Sequence, residues 1–343
     1  MTTSRIRPRA RTTITDVARA AGVSVATVSK VINGRDGVAA ATSERVLKVV
    51  SDLGYASSLV ATSMRRSRTH VLGVLVAEFE PFALRLLNGV SSALSNTDYD
   101  VLAYAGAVSS GSHHGWESRS LSRLGGTLID GAIVVTPTVR PPETAVPVVS
   151  IDPHTGPAGS ASVDTDNLRG ARLATEHLIS LGHTRIGHLR GRSDLESARL
   201  RERGYAEALS TAGIARDAAL VAEGGYRAAE ASEGAAVLLD LDQPPTAIFA
   251  ANDISAMELI RVANARGVRV PEDLSVVGFD DIPEAVAMTP SLTTVRQPLE
   301  DMGRTAVDLL VRMMDEDAAP RHIRLDSDLV VRESTAALGS QTR

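Results

Sequence analysis

Residues 13–33 carry short polar, small apolar and basic side chains at a spacing that could read DNA. Val25 and Ala26 can contact thymine methyl groups, and Lys30 can donate to a guanine edge. A phosphate contact is the alternative for Lys30. Phosphate contacts position a protein on DNA without reading its bases. The candidates for such contacts are Thr13, Ser24, Thr27, Ser29 and Asn33.

Two short helices joined by a glycine turn would position these side chains. Thr13 and Asp16 have the spacing of a capping box, and Gly22 stands where a left-handed turn is needed. Ser24 is placed to cap a second helix, whose Val28 and Val31 face back towards the first. This pattern predicts a helix-turn-helix, whose second helix enters the major groove. A small αα-hairpin inside a protein core would show the same pattern.

The charge distribution favours the DNA-binding interpretation. The whole chain of 343 residues has a net charge of −5, but residues 1–68 hold 12 Arg and Lys against four Asp and Glu. A basic start on an acidic remainder is typical of local contact with phosphates.

Several protein classes are excluded by composition. The chain has no cysteine, so disulfides, thiolate nucleophiles and Cys-ligated zinc are excluded. The first residues lack the apolar stretch of a secretory signal, and no apolar run is long enough for a membrane span. We therefore expect a cytoplasmic protein with a disordered basic arm over residues 1–12.

A third helix is predicted from about Ala40 to Leu53, ended by Gly54, with Val46, Leu47, Val50 and Leu53 as its apolar residues. Residues 57–69 can be helical but have too little apolar surface to fold alone. This segment is therefore expected to be a linker that becomes ordered only in a particular context.

From residue 71 onwards, short apolar strands alternate with amphipathic helices. Near-continuous apolar strands indicate parallel sheets covered on both faces, and seven of them suit two doubly wound lobes. Ligands of such sheets bind beyond the carboxyl ends of the strands. The predicted strands are Val71–Val76, Val101–Tyr104, Gly131–Val135, Val146–Ile151, Arg185–Leu189, Ala247–Ala251 and Ser275–Phe279.

Five segments in a fixed order resemble the lactose-repressor/galactose-repressor (LacI/GalR) family of transcriptional regulators. The resemblance covers about residues 12–335, and its motifs are Val23–Gly34, Glu176–Ile186, Ala250–Asp253, Val270–Asp281 and Leu292–Pro298. It implies a homodimer that binds double-stranded palindromic operator DNA. It also implies a periplasmic-binding-protein-like core that binds a small-molecule effector, commonly a sugar.

The resemblance assigns further DNA contacts to Tyr55, Ser58, Ala61 and Met64. In the family, the segment matching Ser58–Arg65 forms a hinge helix on operator DNA and inserts an apolar wedge, usually Leu, into the minor groove. Met64 stands at that position here. The chain also departs from the family pattern in its third helix, because Ala39 and Ser43 replace residues that often contact phosphate.

For the effector, the resemblance indicates Arg201, Asn252 and Asp280, supported by Asp152, Ser197, Tyr226 and Phe82. A guanidinium fork beside carboxylates suits sugar hydroxyls. The structural alternatives are capping of strand ends for the polar residues and core packing for the aromatic ones.

Two apparent metal or acid–base pairs are interpreted as structural. His113 and His114 lie in a Gly/Ser loop without carboxylate partners. Asp280 and Asp281 are adjacent on a strand, so their side chains should point to opposite faces. We expect neither a metal nor a cofactor.

The predicted fold is an all-α helix-turn-helix head (13–56) and hinge helix (57–69), followed by an α/β core of two doubly wound parallel-sheet lobes (70–335) and a tail (336–343). The N-lobe is predicted over about 70–165 and 298–323, and the C-lobe over about 166–297 and 324–335. The predicted function is a repressor of carbohydrate-utilisation genes whose DNA affinity an effector controls. The alternatives are a nucleobase co-repressor, a solute-binding protein, which the basic head disfavours, and an enzyme, for which no nucleophile with a base is present.

Overall fold

The computed structural model describes residues 12–32, 36–53, 68–106, 115–141, 144–157, 161–316 and 319–339. The chain divides into two compact units, residues 1–69 and residues 70–343. Within the described ranges, no helix is long and apolar enough to cross a membrane.

The first unit contains the three predicted helices of the head, α1 (Ile14–Ala21), α2 (Val25–Ile32) and α3 (Ala40–Asp52). The capping box of α1 is formed, because the backbone N–H of Asp16 donates to Thr13 Oγ1 and that of Thr13 donates to the Asp16 carboxylate. Gly22 ends α1 with a φ angle of 65°, a backbone conformation that residues other than glycine rarely adopt.

The head has its own small apolar core, formed by Val17, Ala18, Ala21, Val28 and Val46. The prediction that Leu47 and Leu53 belong to the apolar face is wrong, since they are 53% and 40% exposed; Leu53 lies beyond the end of α3. Val49 and Val50 pack against the core instead. The reason is helical phase, because residues three and four after Val46 lie on its face and the next residue does not.

The second unit is built from alternating strands and helices. In chain order these are β1 (Val71–Val76), α4 (Pro81–Leu94), β2 (Asp100–Ala105), α5 (Trp116–Leu124), β3 (Gly131–Val135), β4 (Val148–Ile151), β5 (Ser162–Thr165), α6 (Asn167–Ser180), β6 (Ile186–Arg190), α7 (Glu196–Thr211), β7 (Val221–Glu223), α8 (Ala228–Leu239), β8 (Ala247–Ala250), α9 (Asp253–Ala265), β9 (Ser275–Asp280), α10 (Pro283–Ala287), β10 (Thr293–Arg296), α11 (Leu299–Asp315), β11 (His322–Leu325) and β12 (Asp328–Val330).

These strands form two six-stranded sheets, which confirms the predicted pair of doubly wound lobes. The N-lobe sheet has the order β11-β5-β4-β3-β1-β2 and is parallel throughout. The C-lobe sheet has the order β12-β10-β9-β8-β6-β7, in which only β12 is antiparallel to its neighbour.

The chain passes between the lobes three times, after β5, after β10 and after β11. The predicted return to the C-lobe at residue 324 is two residues early, because Arg324 and Leu325 still pair with β5 of the N-lobe. The third crossover therefore lies at residues 326–327.

All seven predicted strands are present, with ends shifted by at most two residues. Five further strands, β5, β7, β10, β11 and β12, were not predicted. They are three or four residues long and contain buried or paired polar residues such as Asp164 and Thr294, so they lack the apolar runs that identify the other seven.

Candidate functional site

The outward face of α2 carries the predicted base-reading residues. Val25, Ala26 and Lys30 are exposed, whereas Thr27 and Ser29 are half-buried. Ser24 caps the helix by accepting a hydrogen bond of 3.1 Å from the Thr27 backbone N–H. The helix therefore presents a small apolar patch beside one cation, with its positive N-terminus free to approach an anion.

Another predicted DNA contact, Thr13, already has a side-chain partner within the head. The Thr13 hydroxyl donates to Asp16 at 2.6 Å, so this side chain serves the capping box. Hydrogen bonds from Thr13 lower the pKa of Asp16. Ala39 and Ser43 are the two positions at which this part of the chain departs from the family pattern. Ala39 is the exposed N-cap of α3 and makes no side-chain hydrogen bond, and Ser43 is half-buried.

Several predicted features lie outside the described residues. They are the basic arm 1–11, Asn33, the pair His113 and His114, most of the predicted hinge segment, and the hinge-region residues Tyr55, Ser58, Ala61 and Met64.

The core contains a cleft between its two lobes. All seven residues predicted to bind the effector line it, although they are separated by up to 198 positions in the chain. Phe82 and Asp152 line it from the N-lobe, and Ser197, Arg201, Tyr226, Asn252 and Asp280 from the C-lobe. A cleft lined by aromatic, apolar and a few charged side chains is typical of sites for small molecules.

Arg201, on α7, is the central cation of the cleft and is only 3% exposed. Its Nε donates to Asn167 Oδ1 at 2.8 Å, its Nη1 donates to the Ala251 carbonyl, and Nη1 lies 3.8 Å from Asp280 Oδ1. The guanidinium carbon is 3.7 Å from the centre of the Phe279 ring. These contacts fix the plane of the guanidinium, while Nη2 makes no hydrogen bond to any described residue.

Two buried carboxyl groups follow strands on opposite sides of the cleft. Asp152 follows β4 and Asp280 ends β9, and both are less than 10% exposed. Burial raises the pKa of Asp152, against the attraction of Arg201. Burial likewise raises the pKa of Asp280 to about 7, again opposed by Arg201. Desolvation thus outweighs the nearby guanidinium, so the charge of Asp280 can change near neutral pH.

Asn252, Ser197 and Tyr226 already have protein partners. The Asn252 side chain caps α9 by accepting from the Ser255 N–H at 2.9 Å, and its Nδ2 donates to the Tyr226 carbonyl. One structural role of Asn252 is therefore to cap the N-terminus of a helix. The Tyr226 hydroxyl lies 3.3 Å from Ser197 Oγ, and the ring lies where a Cβ on Gly191 would stand, so glycine is needed at 191.

Comparisons with known proteins place this geometry in a family. Residues 13–58 match "Bacterial regulatory proteins, lacI family", and residues 175–335 match "Periplasmic binding protein-like domain". The chain is 35% identical to the transcriptional repressor PurR of Photobacterium profundum over 340 residues, covering 95% of this chain and 99% of PurR. It is 37% identical to the transcriptional regulator CelR of Thermobifida fusca over 345 residues, covering 95% and 99%. The chain belongs to the LacI family.

Solved structures of LacI-family members agree in fold. A CelR–cellobiose complex has a TM-score of 0.71 at 35% identity, covering 94% of this chain and all of that one. The lac repressor dimer bound to operator and the anti-inducer ONPF has a TM-score of 0.80 at 28% identity, covering 96% and all of that chain. The relatives of the present chain are transcriptional regulators. This protein is accordingly a DNA-binding regulator of the LacI family that responds to an effector.

Several cleft residues of this LacI-family core were not predicted. Trp116, His154, Arg192 and Glu80 also line the cavity. Burial lowers the pKa of His154 to about 4, so this ring is neutral at pH 7. Trp116 begins α5, which was not predicted, and it is the single tryptophan of the chain. That rarity was the one signal that could have drawn attention to it.

Backbone strain is concentrated at the same cleft. Thr136, Asp152, Tyr226 and Asp280 all line it with positive φ angles of 47°, 46°, 68° and 123°. Such conformations are costly for residues other than glycine and cluster at ligand sites.

The pair Asp280 and Asp281 is divided, as predicted. Asp281 turns away from the cleft lining to bind Arg332 and Arg296, the latter at 2.6 Å. Among the described residues, no group of three His, Asp or Glu side chains could hold a metal ion.

Proposed function

We propose that this protein is a cytoplasmic, dimeric repressor of carbohydrate-utilisation genes whose affinity for a palindromic operator is controlled by a neutral saccharide in the cleft. The observation that carries this proposal is the arrangement around Arg201. A fixed guanidinium lies 3.8 Å from the Asp280 carboxyl group, shares the partner Asn167 with the buried Asp152, and lies beside aromatic rings in the cleft.

The chemistry of a sugar fits this arrangement. Each sugar hydroxyl can donate one hydrogen bond and accept two, so vicinal hydroxyls can donate to a carboxylate and accept from the guanidinium. Charge-assisted hydrogen bonds of this kind are the stronger ones. Phe82 and Tyr226 supply the apolar surface that the C–H faces of a sugar ring need.

Relatives with named ligands support a saccharide. One similar structure is a CelR–cellobiose complex, and another is a LacI-family regulator from Enterococcus faecium with bound ribose, 28% identical with a TM-score of 0.67 over 78% of this chain and 99% of that one. The second candidate is a nucleobase co-repressor, which the PurR relatives favour. A planar base would stack on an aromatic ring and offer fixed donors and acceptors along its edges.

For the operator, we infer that α2 enters the major groove of each half-site. Val25 and Ala26 offer no hydrogen bonds, so base preference at their positions rests on thymine methyl contacts. Lys30 is the one hydrogen-bond donor among these three. We further infer that Met64 acts as the minor-groove wedge, which places part of the specificity in the deformability of the central base step.

The test is a thermal-shift screen of the full-length protein with cellobiose, glucose, ribose, hypoxanthine and guanine. A ligand at about 100 times its Kd stabilises the folded state by about 2.7 kcal/mol, so true ligands are readily recognised. We expect a saccharide to raise the Tm and to change the affinity for an operator duplex obtained by in vitro selection. A shift with hypoxanthine or guanine alone would identify the nucleobase candidate instead.

A further inference from the structure

Two neutral amides hold the charged groups of the cleft in place. Asn167 Nδ2 donates to Asp152 Oδ1 at 3.2 Å, while its Oδ1 accepts from Arg201 Nε at 2.8 Å. Gln297 Nε2 donates to Asp280 Oδ1 at 2.6 Å. Both amides are 2% exposed, and neither lines the cavity. They therefore act on the ligand-facing groups from behind.

Both amides also lie at lobe crossovers. Asn167 begins α6 directly after the first crossover, and Gln297 lies in the second, between β10 and α11. Thr165 joins them, because its Oγ1 donates to Gln297 Oε1 at 2.7 Å and its carbonyl accepts from Asn167 Nδ2 at 3.3 Å.

These hydrogen bonds, together with the approach of Arg201 to Asp280, form a closed ring of side chains. We name the closed set the crossover ring; its members are Asn167, Thr165, Gln297, Asp280 and Arg201. Asp152 is attached to the ring through Asn167. Arg201 and Asp280 line the effector cleft, and the other three members lie at the crossovers. The Arg201–Asp280 approach of 3.8 Å is the longest link.

The third crossover is bound to the first. Arg169 Nη1 donates to the Ser327 carbonyl at 2.6 Å, and the Asp166 N–H donates to the Leu325 carbonyl at 3.2 Å. A rearrangement of the ring therefore displaces groups at all three connections between the lobes.

The ring cannot deform gradually at low cost. Each amide is buried, and its nitrogen and its oxygen both make hydrogen bonds. Leaving such a buried group without a partner would incur the full cost of its lost hydration. A ligand that binds the Asp280 carboxylate or the Arg201 guanidinium competes with the links to Gln297 and Asn167. Such competition favours a discrete change of arrangement over a continuous one.

We propose that Asn167 and Gln297 are positioning residues that transmit effector occupancy from the cleft to the lobe crossovers. This inference rests on the proposed function, since it takes the cleft to be the effector site. It assigns the coupling between effector and operator to two neutral amides that need not touch either ligand.

The test uses the full-length variant Gln297→Met, which keeps the length of the side chain and removes its hydrogen bonds. Gln243→Met is the matched control, because Gln243 is exposed and lies outside the cleft lining. Thr165→Val is a second variant, which removes one ring hydroxyl that does not line the cavity. Hydrogen exchange of the ligand-free proteins and operator affinity with and without cellobiose are measured for all of them.

We expect both ring variants to speed backbone exchange over residues 163–170 and 280–283, and to change ligand-free operator affinity by at least about five-fold, the lower end of typical allosteric coupling. With cellobiose, the ratio of operator Kd values with and without ligand should fall towards one. A purely structural role would lower the Tm and leave that ratio unchanged, which would overturn the proposal.

The measurements without ligand distinguish a failure of the saccharide proposal from a failure of the proposed role of Asn167 and Gln297. If cellobiose binds neither wild type nor variant, the test of the saccharide fails, but the operator affinity of ligand-free Thr165→Val still decides the inference. An operator affinity equal to that of Gln243→Met would refute it.

Discussion

Replacing Arg201 by methionine removes the central cation of the cleft while keeping a long apolar side chain against Phe279. The substitution deletes the hydrogen bonds to Asn167 and Ala251 and the partner of Asp280 at 3.8 Å. It also deletes Nη2, the nitrogen that makes no hydrogen bond to the described protein. Ligand affinity and core stability should therefore both change, for different reasons.

The loss in ligand affinity follows from the hydrogen bonds to charge. Each is worth about 1.5–3 kcal/mol, so the loss of one such bond weakens saccharide binding by roughly 10- to 150-fold. For stability, removing one partner of a buried ion pair costs about 3–5 kcal/mol when the other stays charged. Asp280, whose pKa is already about 7, can instead take up a proton. The destabilisation should consequently be smaller at pH 6 than at pH 8.

The assay combines calorimetric titration with cellobiose, urea unfolding of the core at pH 6 and pH 8, and operator binding by fluorescence anisotropy. Arg199→Met is the matched control, because Arg199 lies on the same helix, is 51% exposed and pairs with Glu196. Operator binding in the absence of ligand should not be abolished, since the head has its own core. Because Arg201 is a member of the crossover ring, the ligand-free operator affinity should nevertheless change, as in Gln297→Met. The reasoning is refuted if Arg201→Met binds saccharide within about three-fold of Arg199→Met, or if its destabilisation does not depend on pH.

Three further predictions concern single residues. Lys30→Ala should relax base preference at one position in each operator half-site; a uniform loss over all sequences would show that Lys30 contacts only phosphate. Gly22→Ala should destabilise the head by about 1 kcal/mol through backbone strain alone, because no atom lies within 4 Å of the added Cβ; thermal unfolding should show this loss with saccharide binding unchanged. The raised pKa of Asp280 favours its neutral form in the folded core, so this stabilisation is present at low pH and lost as pH rises through about 7. A sugar hydroxyl that donates to Asp280 favours the ionised carboxylate, so saccharide binding should release a proton, and the affinity should increase from pH 6 to pH 8. Calorimetric titration in buffers of different ionisation heat measures the released proton. The absence of proton release would show that Asp280 does not take part in binding.

Much of the secondary structure could be predicted because its causes are local. Thr13, Asp16 and Gly22 define the first helix and its end, and the apolar run Val71–Val76 defines a fully buried strand. The seven predicted apolar strands were placed to within two residues. The short polar strands at the crossovers could not be found, because their stability comes from neighbouring strands and buried side-chain pairs.

The candidate site divides in the same way. The charged residues that follow apolar strands, such as Asp152 and Asp280, could be proposed from the sequence because ligands bind at strand ends. Trp116, His154, Asn167 and Gln297 could not, since nothing in their local sequence indicates that they approach the cleft.

The sequence by itself determined a basic helix-turn-helix head and a pair of doubly wound lobes, because capping and hydrophobic period are local properties of the chain. The seven cleft residues were indicated by the resemblance to the LacI family, and strand-end position supported Asp152, Asn252 and Asp280. Only the tertiary structure decided which groups hold Arg201, how far burial raises the pKa of Asp280, and that Asn167 and Gln297 connect the cleft to the crossovers. Those properties depend on burial and on contacts between residues 17 to 132 positions apart, and no local pattern records them.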